Sequence, residues 1–293
     1  MTTEHKQRLT NNILGHPVTL EYALDGSGIP VANYLEDPSH YKGPESFPAI
    51  VDFGTIFEDL GFRDFTVSPE DRWSKVNSPP EGIRILEFED SNVYALIKNI
   101  SDIAGSEFYA DPLACHQYYS YTSQVLRTIS SLGINRDNTA FLGLIRAGAV
   151  AGEILGYPTE EQTLIQTKRL GNNGRIAIGI DVLQNTGLDR PNWLIADPAG
   201  ATYGSVVANM IYLLQAGLQP QKVQIWNTVA SHKGSEFALT VLRDLGLDVE
   251  IIAGGYSPGM NSSYYLLTSE SSPSVRDAGD ALNSFLPANL RIG

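Results

Sequence analysis

The sequence predicts an α/β protein, a mostly parallel sheet with helices on both faces, preceded by an N-terminal α+β appendage. Three observations predict it. From about residue 106 onward, short apolar runs rich in β-branched residues alternate with longer segments whose apolar residues recur every three or four positions. Glycine or proline closes most of these segments, leaving short connections. The first hundred residues lack that alternation and are punctuated by prolines, acids and aromatics.

In the appendage, residues 1–105, Val18–Leu24 and Ile29–Tyr34 flank Asp25-Gly26-Ser27-Gly28, turn chemistry that predicts a hairpin. Ala49–Phe53 and Ile83–Phe88 read as short strands, and Val93–Ile100 fits a strand or a helix. The acids Glu58, Asp59, Glu87, Glu89 and Asp90 read as solvated surface. Aromatics from Tyr34 to Trp73 are too frequent for a disordered tail. This region is therefore expected to fold against the core or a partner subunit.

The second unit, residues 106–293, opens with Asp111-Pro112, a capping carboxylate and a first-turn proline, for a helix to about Leu132. Ala140–Ile145 has the composition of a buried strand and leads through Arg146-Ala147-Gly148 into a helix over Ala149–Leu155. Thr163–Thr167 and Ile176–Ile180 are β-rich runs around a polar loop, Lys168–Arg175. Trp193–Ala196 is a strand ending at Asp197-Pro198. A small-residue loop, Ala199–Ser205, follows, then a helix patterned by Val206, Met210, Leu213 and Leu214 and stopped by Gly217. Val223–Val229, Ser235–Leu245 and Val249–Ala253 continue as strand, helix and strand.

Composition narrows the function classes. The 293 residues carry a net charge of −13, which disfavours nucleic acid as a partner. No apolar run approaches the ~20 residues of a membrane span, and the polar start MTTEHKQRLTNN lacks a secretory core, so a cytoplasmic protein is expected. A single cysteine, Cys115, excludes an internal disulfide, and the five histidines show no metal-ligand spacing.

Strand, small loop and helix in that order build an anion site, because the first helical amides lack internal partners and the helix dipole is positive there. Thr202 and Ser205 add hydroxyls, and Gly200 and Gly204 allow a close backbone approach.

DPAGATYGS, Asp197 to Ser205, resembles the phosphoribosyl-diphosphate loop of uracil phosphoribosyltransferases, D-P-x-x-A-T-G-G-S. LIRAG, Leu144 to Gly148, is similar to the same family's L-R-A-G diphosphate turn, and both lie in the family's order over roughly residues 110 to 290. The resemblance implies a phosphoribosyltransferase-like fold and donor binding by Arg146, Ala147 and Gly148 on the diphosphate. Ala201, Thr202, Tyr203, Gly204 and Ser205 would hold the 5′-phosphate, and Asp197 the ribose. Lys168 and Arg169 stand near the family's mobile basic loop, about two residues out of register and without its tyrosine. Tyr203 replaces a small residue; a bulky ring there is disfavoured if the backbone needs positive φ, and it can reshape the pocket.

MNSSYYLL, Met260 to Leu267, resembles the family's L-N-x-x-x-Y-I-V, and RDAGDAL, Arg276 to Leu282, resembles G-D-x-G-D-R. This implies an acceptor between Tyr265 and Leu266 on one side and Arg276 on the other, with Asp277 near the metal and donor. Thr268–Val275 replaces a short Pro-Gly linker, Arg276 a base-reading glycine and Ala281 the final arginine. VASHKG, Val229 to Gly234, occupies the place of V-A-A-P-x-G, so His232 is a candidate base at a strand end.

The resemblance implies transfer of a phosphoribosyl group from phosphoribosyl diphosphate to uracil or a related acceptor, with Mg²⁺ as cofactor and a homodimer or larger homo-oligomer. Altered acceptor positions leave open another acceptor or diphosphate in the same fold, or a non-catalytic nucleotide-binding regulator.

Overall fold

The computed structural model describes residues 5–24, 47–62, 79–104, 111–145, 147–170 and 175–257, together with Met260, Leu266, Leu282 and Phe285. Within them the strands form one sheet. In chain order these are β1 (His5–Ile13), β2 (His16–Leu24), β3 (Ala49–Asp52), β4 (Ile83–Ile85), β5 (Thr139–Leu144), β6 (Gln162–Arg169), β7 (Ala177–Gln184), β8 (Asn192–Ala196), β9 (Ala199–Gly200), β10 (Lys222–Ser231) and β11 (Asp248–Ser257). The order across the sheet is β1-β2-β3-β7-β6-β5-β8-β10-β11-β4, with β9 beside β10. Strands β6, β5, β8, β10, β11 and β4 pair in parallel, while β1, β2, β3 and β7 join antiparallel.

Helices cover both faces, as the alternation of the chain predicts. On one face lie α1 (Ile56–Asp59), α5 (Gly204–Gln215) and α6 (His232–Asp244), packed with Trp193 and Ile195 of β8. On the other lie α2 (Ser91–Ala104), α3 (Pro112–Ser130) and α4 (Ala147–Ile154), packed with Leu194 and Ala196. Successive β8 side chains thus enter opposite cores, the period-two consequence of a strand buried on both faces. Asp111 caps α3 as expected, its Oδ1 accepting from the Leu113 amide at 2.9 Å, with Pro112 in the first turn. Among the described residues no helix is long and apolar enough to cross a membrane.

Several local expectations change. Val18–Leu24 is strand, but its hairpin partner is β1, through a Leu14-Gly15 turn with φ of 51° and 85°. Two successive left-handed residues match the twist of a two-residue hairpin. The expected partner, Ile29–Tyr34, lies outside the described residues. The run Ile83–Phe88 is strand only to Ile85 and then makes a 3-10 turn over Leu86–Phe88. Val93–Ile100 is helical, inside α2. Glu87 is 6% exposed and accepts from the Tyr256 amide at 2.8 Å, which removes it from the solvated acids. Glu89 stays at the surface, paired with Arg84 at 2.6 Å.

The N-terminal strands extend the sheet of the later segment at both ends: β3 pairs with β7, and β4 with β11. Phe53, Phe57 and Phe62 reach further, packing edge-on against Phe237 of α6 with centroid separations of 6.5, 5.1 and 5.9 Å.

Candidate functional site

Parallel strands β5, β8, β10 and β11 all end at the same edge of the sheet, so the turns that follow them are neighbours. Leu142 of β5 pairs with Ile195 of β8, which brings the first turn of α4, Ala147-Gly148, alongside the end of β8. Gly148 sets the spacing. A Cβ there would stand 3.1 Å from the Ala196 carbonyl oxygen, so glycine eases the close approach of the two segments. Helix α4 is held from below by Gln162, fully buried, whose Nε2 donates to the Tyr157 and Ala149 carbonyls at 2.8 and 3.2 Å.

Asp197 is half-buried at the end of β8. Its amide donates to the Trp226 carbonyl at 2.9 Å, and its Oδ1 accepts from the Ala199 amide at 3.2 Å, closing an Asx turn. Beyond it the chain stays close to β10: the Val229 amide donates to the Pro198 carbonyl at 3.0 Å, and β9 pairs with Val229 and Ala230. The loop then turns into α5 through Tyr203, whose φ is 57°.

Beneath the loop the interior is polar. The Tyr203 ring is 4% exposed and its hydroxyl donates to Asn227 Oδ1 at 2.7 Å. Asn227 Nδ2 donates to the Asp197 carbonyl at 2.6 Å. Ser235 Oγ lies 3.2 Å from the Tyr203 hydroxyl and donates to the Ser231 carbonyl at 2.7 Å. Burial pushes the Tyr203 and Tyr256 phenols far above their ordinary range, so both are neutral at physiological pH. Ser231 caps α6, accepting from the Gly234 amide at 3.0 Å, and its own hydroxyl donates to the Ala201 carbonyl. Lys233 Nζ donates to the Gly61 carbonyl at 2.6 Å, tying α6 to the segment after α1.

The expected donor residues Ala147, Gly148, Asp197, Ala201, Thr202, Tyr203, Gly204 and Ser205 thus share one edge of the sheet. Arg146, Tyr265, Arg276 and Asp277 lie outside the described residues. Leu266 is 6% exposed and bridges Met260. Its side chain is part of the core. Lys168 and Arg169 depart from the expected loop: they end β6, paired with Gly179 and Ile178. Gly200 and Gly204 are also closely packed within the protein. A Cβ on Gly200 would collide with the Tyr203 hydroxyl, and one on Gly204 would come within 3.2 Å of Phe57. His232 is 34% exposed, 3.5 Å from Glu236, with its ring edge-on to Tyr256.

Sequence reasoning missed Asn227, Ser231 and Ser235. A signal was present in the run Trp226-Asn227-Thr228, where two polar residues interrupt an otherwise apolar strand. Buried polar groups in a strand need partners, and here the partner is the loop.

No family model and no curated protein matches this sequence. Among solved structures, the chain is similar to the AQ2163 protein from Aquifex aeolicus at 18% identity, over 64% of this chain and 93% of that one, with a TM-score of 0.46. It is also similar to the Giardia lamblia APRTase complexed with 9-deazaadenine, at 13% identity over 52% and 83%, TM-score 0.34. A third is the Mycobacterium tuberculosis orotate phosphoribosyltransferase in complex with 5-phospho-alpha-D-ribosyl 1-diphosphate, at 12% identity over 59% and 95%, TM-score 0.36.

Proposed function

We propose that this chain is a phosphoribosyltransferase, moving a ribose 5-phosphate group from phosphoribosyl diphosphate to a ring nitrogen of uracil or a related base. One observation carries the reading. The Ala147-Gly148 turn and the Asp197–Ser205 loop, matched separately in the sequence, lie side by side at the ends of adjacent parallel strands. Ligands in open α/β sheets bind in the crevice at that edge.

The 5′-phosphate sits at the start of α5, where the helix dipole and the backbone of Ala201 to Ser205 favour an anion. Arg146 and the Ala147-Gly148 backbone take the diphosphate. Asp197 faces the ribose. As the C1–O bond to diphosphate breaks, the ring gains positive charge that the Asp197 carboxylate stabilises. The acceptor nitrogen forms the new C1–N bond and releases its proton, and pyrophosphate departs with the bonding pair.

Among the described residues no three acidic, histidine or cysteine side chains converge on a metal cage. A single carboxylate beside a diphosphate site fits Mg²⁺, which is held by few protein ligands and mainly by substrate phosphates and water. Asp197 and Asp277 are the residues that would approach it, and the ion would neutralise charge on the departing diphosphate.

The test is incubation of the chain with phosphoribosyl diphosphate, Mg²⁺ and a panel of bases including uracil, following pyrophosphate and the nucleoside monophosphate by mass spectrometry. Pyrophosphate and product in equal amounts support the reading. A second reading, transfer to a different acceptor, is favoured by the Thr268–Val275 stretch and Arg276, which alter the segment that reads the base in the family. Turnover with another base and none with uracil selects it. Binding of donor with no turnover on any base selects a regulator, and absence of donor binding points to a different diphosphate.

A further inference from the structure

Asn227 holds both ends of the anion loop with one side chain. Its Nδ2 donates to the Asp197 carbonyl at 2.6 Å, where the loop begins, and its Oδ1 accepts from the Tyr203 hydroxyl at 2.7 Å, where the loop enters α5. Asn227 is 1% exposed, pairs with Ala253 of β11 and follows Trp226, the last residue of β10 to pair with β8. A planar amide sets the distance between its two partners, and neither end of the loop can shift without breaking a buried bond.

The second end is the one in need of support. Tyr203 has φ of 57°, ψ of 12°, and makes no side-chain cap bond to the helix. Left-handed backbone is unfavourable for a residue with a Cβ, and the helix start has none of the usual short polar caps at that position. The phenol bond to Asn227, the close fit of the ring beneath Gly200 and the nearby Ser235 hydroxyl keep the turn in that shape.

We propose that Asn227 is a positioning residue for Asp197 and for the first amides of α5, with Tyr203 as its partner. The proposal rests on the donor reading given above. The loop is shaped before ligand arrives, so binding does not have to order it.

The experiment compares the unmodified chain with Tyr203→Phe, Tyr203→Gly and Asn227→Asp. Ribose 5-phosphate affinity is measured by calorimetry, melting temperature by circular dichroism, and amide hydrogen exchange over residues 197–206 against β2. Tyr203→Phe keeps the ring and the strained backbone but loses the tie, and should weaken binding about fivefold, the scale of one neutral hydrogen bond. Both Tyr203→Phe and Asn227→Asp should speed exchange over 197–206 and leave β2 unchanged. Tyr203→Gly takes positive φ without strain. It should melt lowest, because it deletes the ring, yet bind more tightly than Tyr203→Phe. A purely structural role gives the opposite order, with glycine weakest in both measurements, and that order overturns the proposal. Unchanged affinity in Tyr203→Phe also overturns it while the donor reading stands. If the unmodified chain does not bind ribose 5-phosphate, the donor reading falls and the positioning role falls with it.

Discussion

Gly234 lies directly against the main-chain oxygen of Ala201, with no room for a side chain between them. The first turn of α6 therefore supports the loop between β8 and α5 from behind, and the Ser231 hydroxyl donates to the same Ala201 oxygen. Turned inward, that carbonyl meets the positive end of α6.

Gly234→Ala should consequently force the loop and α6 apart. An added methyl in a packed contact of this kind costs about 1–3 kcal/mol. Urea unfolding measures it, and a loss below about 0.5 kcal/mol, the scale of a neutral surface change, would contradict the contact. Ribose 5-phosphate binding should weaken as well, since Ala201 belongs to the loop.

Asp197→Asn removes a charge and keeps the shape of the side chain. Its amide oxygen still accepts from the Ala199 amide, so the Asx turn and the melting temperature should be preserved. Pyrophosphate release should fall on the order of a hundredfold, the cost of losing one electrostatic stabiliser in an enclosed site. Unchanged turnover would remove Asp197 from the mechanism.

Phe57 sits in the aromatic cluster under α5, with ring centroids 5.3 Å from Phe53, 5.2 Å from Phe62 and 5.1 Å from Phe237. Phe57→Ala should cost about 3–5 kcal/mol, the usual range for a buried ring replaced by a cavity. Because Phe57 also lies against Gly204, the same variant should loosen the start of α5, read as faster exchange over residues 204–207. A surface-like loss of stability, with exchange unchanged, would show that the cluster is not coupled to the loop.

Acid should weaken the sheet between β10 and β11. Burial works against ionisation of Glu250, but hydrogen bonds from Lys222 and Gln224 and the charges of Lys222 and Arg84 outweigh it and hold its carboxyl below the usual carboxylate range. A carboxyl with a lowered folded pKa contributes stability above its unfolded value, and the contribution is lost as pH falls through the folded one. Both side chains of the pair are over a third exposed, so the effect is small. Glu250→Gln should be slightly less stable than the unmodified chain at pH 7, and the difference should shrink as acid protonates the carboxyl. A difference that persists in acid would assign it to packing.

Much of the core was legible in the sequence because its signals are local. Asp111-Pro112 starts a helix, Gly217 and Gly246 follow the ends of helices, and the Trp193–Ala196 run is buried strand, each decided within a few residues. The β1–β2 hairpin was harder to read. His5–Ile13 is nearly all polar, and its pairing depends on two left-handed residues at Leu14-Gly15, only one of them a glycine.

The strand–loop–helix order around Asp197, and the arginine turn that precedes it, belong to the sequence alone, because periodicity and turn residues act over short range. Tertiary structure decided what lies beneath that loop. Asn227, Ser235 and Gly234 come from a later strand and helix, and Phe57 from the first sixty residues. Their contacts with the loop depend on which strands become neighbours, and strand order is fixed by packing across the whole sheet. For the same reason Tyr203, an ill-suited side chain for its backbone when read in isolation, becomes the residue that ties the loop down.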